Sequence, residues 1–415
     1  MRKKSVFINC METLTANRKH SEARTLLNAG LKESAERQTA ATAPAYVLTK
    51  PYVFPAVDGN MTYHTSWGSH GVKEEAETIL SVLSSFRLRS TLAKINQGPR
   101  LTQYVIEPAP GTQVQSILRR EKEFQAALHC NASLRFDNGY VYIEVPTGTE
   151  TVFLGDMLID NVFQSSDGFT MAIGMAVDGS KHYIDIAKAC HILISGMTGS
   201  GKSIVLHNLI LSLLMKKDPV QMHLYIIDPK ATEFEYYKNL AACTVVSEVN
   251  GAVDLLKNLC IEMDRRYSVL AAARCRDIDS YNTKFADAPM RRDIVFIDEL
   301  SDLMSMGGKS VEGHIVRIAQ KARACGIHLV IATQYPVAKV VTGLIKANMP
   351  TKICLRVGTV TNSMVALDMA GGEKLMGHGD MLFLPNGSLS PVRLQGGFVS
   401  ETAINNVVAG LMKNQ

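Results

Sequence analysis

No apolar run in this chain reaches the ~20 residues that a bilayer crossing takes, and the opening MRKKSVFINCMETLT lacks the core of a secretory signal. No membrane segment is expected, and a cytoplasmic location is. There is no C-x-x-C, and the eight cysteines (10, 130, 190, 243, 260, 275, 325 and 354) are scattered without a Cys/His cluster. That pattern argues against a zinc site or a disulfide frame and fits buried thiols in a reducing compartment. Charge of one sign is also scarce: 44 Lys and Arg against 39 Asp and Glu leave a net +5. So mild a balance permits a nucleic-acid partner without arguing for one, because the usual footprint is a concentrated basic patch. With 415 residues, 46% hydrophobic and 20% charged, the chain is long enough for two or three domains with a sizeable core.

What is present centres on HILISGMTGSGKS, residues 191–203. The apolar run Ile192–Ile194 reads as a buried strand and the stretch Ser203–Met215 as a helix. Between them Gly196, Met197, Thr198, Gly199, Ser200, Gly201, Lys202 and Ser203 spell the G-x-x-x-x-G-K-[ST] phosphate loop, with Ile204 following. Glycines let successive N–H groups curl toward an anion, and the helix that follows points its positive end at the same place. Lys202 is expected to reach the β- and γ-phosphates of ATP, and Ser203 to ligand Mg²⁺.

Around this motif the chain divides into three. Residues 1–71 read as an N-terminal arm and linker, partly disordered or helical. Its Ala-, Glu- and Lys-rich stretch Asn17–Ala43 is alternatively a docking or oligomerisation helix. Residues 72–160 carry a small α+β pattern: helices over Glu74–Phe86 and Val114–Leu128, a strand over Leu101–Pro108, and a hairpin turning at Asp137-Asn138-Gly139. Residues 161–415 form the large domain. Strand-like runs at Ile192–Ile194, Leu224–Ile227, Thr244–Val246, Ile294–Ile297 and Leu329–Ala332 alternate with helical patterns at Ser203–Met215, Gly251–Ala273 and Val311–Ala324. Such alternation gives an α/β fold with a mainly parallel sheet covered on both faces, and ligand at the carboxyl ends of its strands.

Asp293–Ile297 leads into Asp298 and Glu299. A carboxylate at that strand end can hold Mg²⁺ opposite Ser203, and the next can polarise an attacking water. Asp298 is therefore assigned to the metal and Glu299 to general base. By themselves the two acids equally suit a helix start, where negative charge is favoured. Gln334 ends the following strand, where an amide can contact the γ-phosphate or the lytic water. Arg323, on the helix between these strands, is by spacing alone a solvated charge.

Several segments resemble the motor region of the FtsK/SpoIIIE DNA translocases, within the HerA–FtsK ring ATPases. They are GMTGSGKS (196–203), IIDPK (226–230), EMDRRYSVLAAARCRDIDSYN (262–282), VFIDELSDLM (295–304), AQKARACGIHLVIATQ (319–334), GLIKANMPTKI (343–353) and GHGDMLF (377–383), in family order. The part beginning at Val72, with GPRLTQYVIEPAPG, is similar to that family's small α domain. The resemblance implies a RecA-like P-loop NTPase domain, a homo-oligomer in the form of a hexameric ring, and ATP-driven movement along double-stranded DNA. It makes Arg323 a finger reaching into a neighbour's site, and Lys346 a DNA contact on a loop, Gly343–Pro350, that projects into the pore. A family relative that drives protein secretion is the alternative.

Three departures bear on the cargo. Tyr335 stands where the family usually has arginine after ATQ, and Val360 and Met364 where it has a basic pair. Loss of phosphate contacts should flatten the salt dependence of DNA binding, unless Lys352 or Arg356 compensates. Neither a membrane region nor the family's winged-helix module is evident, as expected of a pared-down motor.

Overall fold

A computed structural model describes residues 71–146, 148 and 150–413; the helix expected over Asn17–Ala43 lies outside them. The first unit begins with α1 (Val72–Ser85), followed by β1 (Ser90–Gln97) and β2 (Leu101–Pro108). Two short helices, α2 (Val114–Leu118) and α3 (Glu121–Leu128), precede β3 (Ser133–Asp137) and β4 (Tyr140–Pro146). The strands form an antiparallel sheet ordered β1-β2-β4-β3. Tyr104, Ile106, Val141 and Ile143 pack with Ile79, Leu83, Ile117 and Phe124 of the helices. The single helix expected over Val114–Leu128 is thus two, broken at Arg119–Arg120, with neither glycine nor proline marking the break.

The second unit opens with α4 (Leu154–Leu158) and α5 (Asn161–Ser165), then β5 (Thr170–Ala176), β6 (Lys181–Asp185), α6 (Ile186–Ala189) and β7 (Ile192–Ser195). Next come α7 (Lys202–Leu214), β8 (Met222–Ile227), β9 (Cys243–Val246), α8 (Val249–Ala272), α9 (Ile278–Lys284) and β10 (Arg292–Ile297). The chain continues through α10 (Leu300–Lys321), β11 (Ile327–Thr333), α11 (Gly343–Ala347), β12 (Thr351–Leu355), α12 (Val360–Leu367), β13 (Asp380–Leu384), β14 (Val392–Gly396) and α13 (Glu401–Met412). Leu154, Met157 and Leu158 pack in the core of this second unit. The helix just before 160 thus buries its apolar side against the large sheet.

That sheet has ten strands in the order β6-β5-β14-β13-β12-β7-β11-β10-β8-β9. From β12 to β9 every pairing is parallel; from β12 outward to β6 every pairing is antiparallel. Strand alternation assigns the two faces. Ile192 and Ile194 of β7, with Leu224, Ile226, Ile294 and Phe296, pack with α7 and α13. Leu193, Tyr225, Ile227, Val295 and Ile297 pack with α8 and α10 on the other face. α7 is apolar around nearly its whole circumference and is buried accordingly. Gly308 breaks α10 at φ 47°, a left-handed conformation that glycine adopts without strain. The helix expected over Val311–Ala324 is the second half of this element, and it stops at Lys321.

Candidate nucleotide site

β7 delivers the loop 196–201 to the carboxyl edge of the parallel strands, and α7 begins at Lys202. The loop is held on three sides. Gly196 N–H donates to Thr333 O at 3.1 Å, Met197 N–H to Arg356 O at 2.9 Å, and Gly379 N–H to Ser200 O at 2.8 Å. Gly201 sits at φ 98°, and a Cβ there would lie 2.6 Å from Gly379 N, so both the turn and the close backbone approach require glycine.

Lys202 Nζ donates to the carbonyl oxygen of Asp298 and to its Oδ1, both at 2.6 Å, and both side chains are buried. A single strand lies between loop and acid: β11 separates β7 from β10. Glu299 caps the start of α10 by accepting from Ser301 N–H at 3.2 Å. The same carboxylate accepts from Ser301 Oγ at 2.7 Å, Thr333 Oγ1 at 2.8 Å and Gln334 N–H at 2.9 Å. The acid thus opens a helix and is also oriented against the end of the neighbouring strand. Gln334 also reaches the loop, its Oε1 accepting from Thr198 Oγ1 at 2.8 Å. The loop and Asp298, Glu299 and Gln334 thus lie together at the carboxyl edge of the parallel strands.

Arg323 is elsewhere. α10 ends at Lys321, and Arg323 lies in the turn 322–326, where Gly326 (φ 76°) redirects the chain into β11. It is exposed, and its charge acts on Cys190 and His191 just before β7. That is the amino-terminal edge of the sheet, opposite the phosphate loop.

Lys346 is on a short helix, α11, where a projecting loop was expected. Its Nζ lies 2.5 Å from Asp368 Oδ1 and donates to Met364 O at 3.3 Å. Lys352 pairs with the other oxygen of Asp368. Burial alone would raise the Asp368 carboxyl, but the two lysines outweigh it and hold it below the ordinary aspartate value. Arg356, whose carbonyl holds Met197, follows β12 beside the phosphate loop.

Sequence reasoning gave Asp228 no role, although it lies in the IIDPK segment. It is fully buried after β8, and its carboxylate accepts from the backbone N–H of Lys230, Thr232, Glu233 and Phe234 at 3.1–3.2 Å. It fixes the turn that carries Phe234 and Tyr237 against α7. The two units are joined at Arg393 of β14, which bridges Asp380 at 2.7 Å and the Glu144 carboxylate of β4.

A glycine-rich loop on one parallel strand, and paired acids on the next strand but one, define a P-loop ATPase. The chain belongs to the FtsK/SpoIIIE family: the FtsK/SpoIIIE family model matches residues 154–338, and the FtsK alpha domain model matches residues 59–147. DNA translocase SftA of Bacillus subtilis is 39% identical over 377 residues, covering 86% of this chain and 39% of that protein. DNA translocase FtsK of Caldanaerobacter subterraneus subsp. tengcongensis is 39% identical over 351 residues, 82% of this chain and 49% of that protein. This chain therefore spans less than half the length of these two relatives. Among solved structures, the pCW3 conjugation coupling protein TcpA in its monomer form with ATPγS matches with a TM-score of 0.59 and 26% identity, over 82% of this chain and 99% of that one.

Proposed function

We propose that this chain is the motor of an ATP-dependent double-stranded DNA translocase, working in the cytoplasm as a homo-oligomeric ring of six subunits. The observation that carries the reading is the convergence of Lys202, Asp298, Glu299 and Gln334 on one loop. Together they supply a cation for the terminal phosphates, an acid for a metal, a base and an amide contact.

Magnesium fits the residues present: the Ser203 hydroxyl and Asp298 carboxylate are the hard oxygen donors it takes, and they flank Lys202, which already touches Asp298. Bound there, Mg²⁺ would neutralise phosphate charge. Incoming phosphates compete with Asp298 for Lys202. Glu299 accepts a proton from water through Oε2, which also accepts from Gln334 N–H. Gln334 links that base to Thr198, so the state of the loop reaches the base through one side chain. Arg323, at the far edge of its own sheet, serves as a finger only to a neighbouring subunit. The duplex is held on the side of α11 and α12, where Lys346 is the candidate contact.

The test is ATP hydrolysis measured without nucleic acid, with linear duplex and with single strands. Duplex-specific stimulation supports the reading. Turnover indifferent to duplex at every salt concentration favours a non-DNA cargo such as a secreted protein.

A further inference from the structure

A cavity of about 310 Å³ lies between the two units, bordering Gly201 and Ile204 where the phosphate loop passes into α7. Its remaining walls come from the His378–Gly379 turn, the stretch Gln395–Phe398, and Arg100, Glu150 and Thr151 on the side of the small unit. Glu150 falls between the two segments that the family models match.

We propose that this cavity seats the ribose and base of the nucleoside triphosphate whose phosphates lie on Lys202, and that Arg100 and Glu150 hold the nucleoside there. The inference rests on the ATPase reading and adds a residue of the small unit to the site. Three observations carry it.

The first is position. Phosphates cradled by Gly196–Ser203 leave the nucleoside to emerge past the loop's end, and this cavity borders that end. Its volume matches the lower range of ligand pockets.

The second is chemistry. Ile204 and Phe398 give apolar walls. The Phe398 ring is 42% exposed and held edge-on by Phe153, with centroids 6.1 Å apart, leaving it free to stack on a base. Glu150 Oε2 and Arg100 Nε are both buried without a hydrogen-bond partner among the described residues. Buried polar atoms are otherwise almost always satisfied. A carboxylate oxygen suits ribose hydroxyls or an exocyclic amine, and a guanidinium N–H suits a ring nitrogen or phosphate oxygen.

The third is rigidity. Arg100 Nη1 donates to His378 O at 3.1 Å and Gln395 Nε2 donates to the same oxygen at 2.8 Å. Asn208 of α7 donates to Gly397 O at 2.5 Å. The walls are thus tied to the loop and helix that bind phosphate. A nucleotide filling the cavity touches both units and so clamps one to the other.

The test compares two probes, ATPγS and inorganic tripolyphosphate, by calorimetry on wild type, Arg100→Ala and Glu150→Gln. Wild type should bind ATPγS more tightly than tripolyphosphate. Each variant should lose about ten- to a hundredfold in ATPγS affinity and keep its tripolyphosphate affinity, which also reports that the site is folded. Equal losses on both probes, or no loss on ATPγS, overturn the inference while leaving the ATPase reading standing. If wild type binds neither probe, the ATPase reading fails and the nucleoside seat fails with it.

Discussion

Lys202 and Asp298 close on each other at 2.6 Å, each side chain only 4% exposed. The cation that the phosphate loop offers to a ligand is therefore already satisfied by the acid at the end of β10. Removing one partner of such a pair strands the other charge in the interior, at a cost of about 3–5 kcal/mol. Lys202→Ala should accordingly lower the urea midpoint of the nucleotide-free protein, and the double variant Lys202→Ala/Asp298→Ala should cost less than the two single variants summed. Unchanged midpoints would show that the pair contributes nothing to the folded state.

Lys346 and Lys352 share Asp368, so neither presents a free charge. Replacing Lys346 by Ala should change the salt slope of duplex binding by less than the ~0.9 expected of one free phosphate contact. Asp368→Asn, which releases both lysines, should steepen the slope by about one to two units. An unchanged slope in Asp368→Asn removes this face from the DNA-binding surface.

Arg323 and the Glu299 site are at opposite ends of β11, whose seven residues span about 23 Å at ~3.3 Å each. An arginine so placed acts on another subunit's nucleotide or on none. Arg323→Ala alone should lose about 10³-fold or more in turnover, and doping it into wild-type rings should depress activity faster than its mole fraction. Strict proportionality to the wild-type fraction, or full activity of the pure variant, contradicts the finger role.

The parallel half of the sheet was legible in the sequence because its strands are buried on both faces and read as plain apolar runs. The phosphate loop and the acids after β10 were legible because their chemistry fixes residue types at fixed spacing. The antiparallel half was overlooked, although Asp178-Gly179 and Asn386-Gly387 carry hairpin-turn chemistry and turn the chain between β5 and β6 and between β13 and β14. Arg323 was placed on a helix because Gln320–Ala324 reads as helical, whereas the helix stops at Lys321 and the turn 322–326 carries Arg323. The pairing of Lys346 with Asp368 could not be read from sequence, since 22 positions and a strand separate them.

Four histidines buried among the described residues set an acid limit. Burial pushes the imidazoles of His191 and His207 down to about 4, and those of His223 and His328 to about 3. His328 shows the neutral form directly: its Nε2 faces Arg292 Nη1 at 3.2 Å, so it must accept. The folded state then binds fewer protons than the unfolded chain between pH 6.5 and about 4. Stability should be full above pH 6.5 and fall as pH drops toward 4, at roughly 1.4 kcal/mol per histidine per pH unit at the steepest. Thermal melts across this range check it, and a flat profile would mean that these histidines titrate normally.

In the proposed mechanism Glu299 activates water for a triphosphate held by Lys202 and Asp298. Single-turnover hydrolysis of ATP by Glu299→Gln in the presence of linear duplex tests it most directly. The variant should bind ATP as wild type does and cleave it about 10²–10⁴-fold more slowly. Cleavage at the wild-type rate would contradict it.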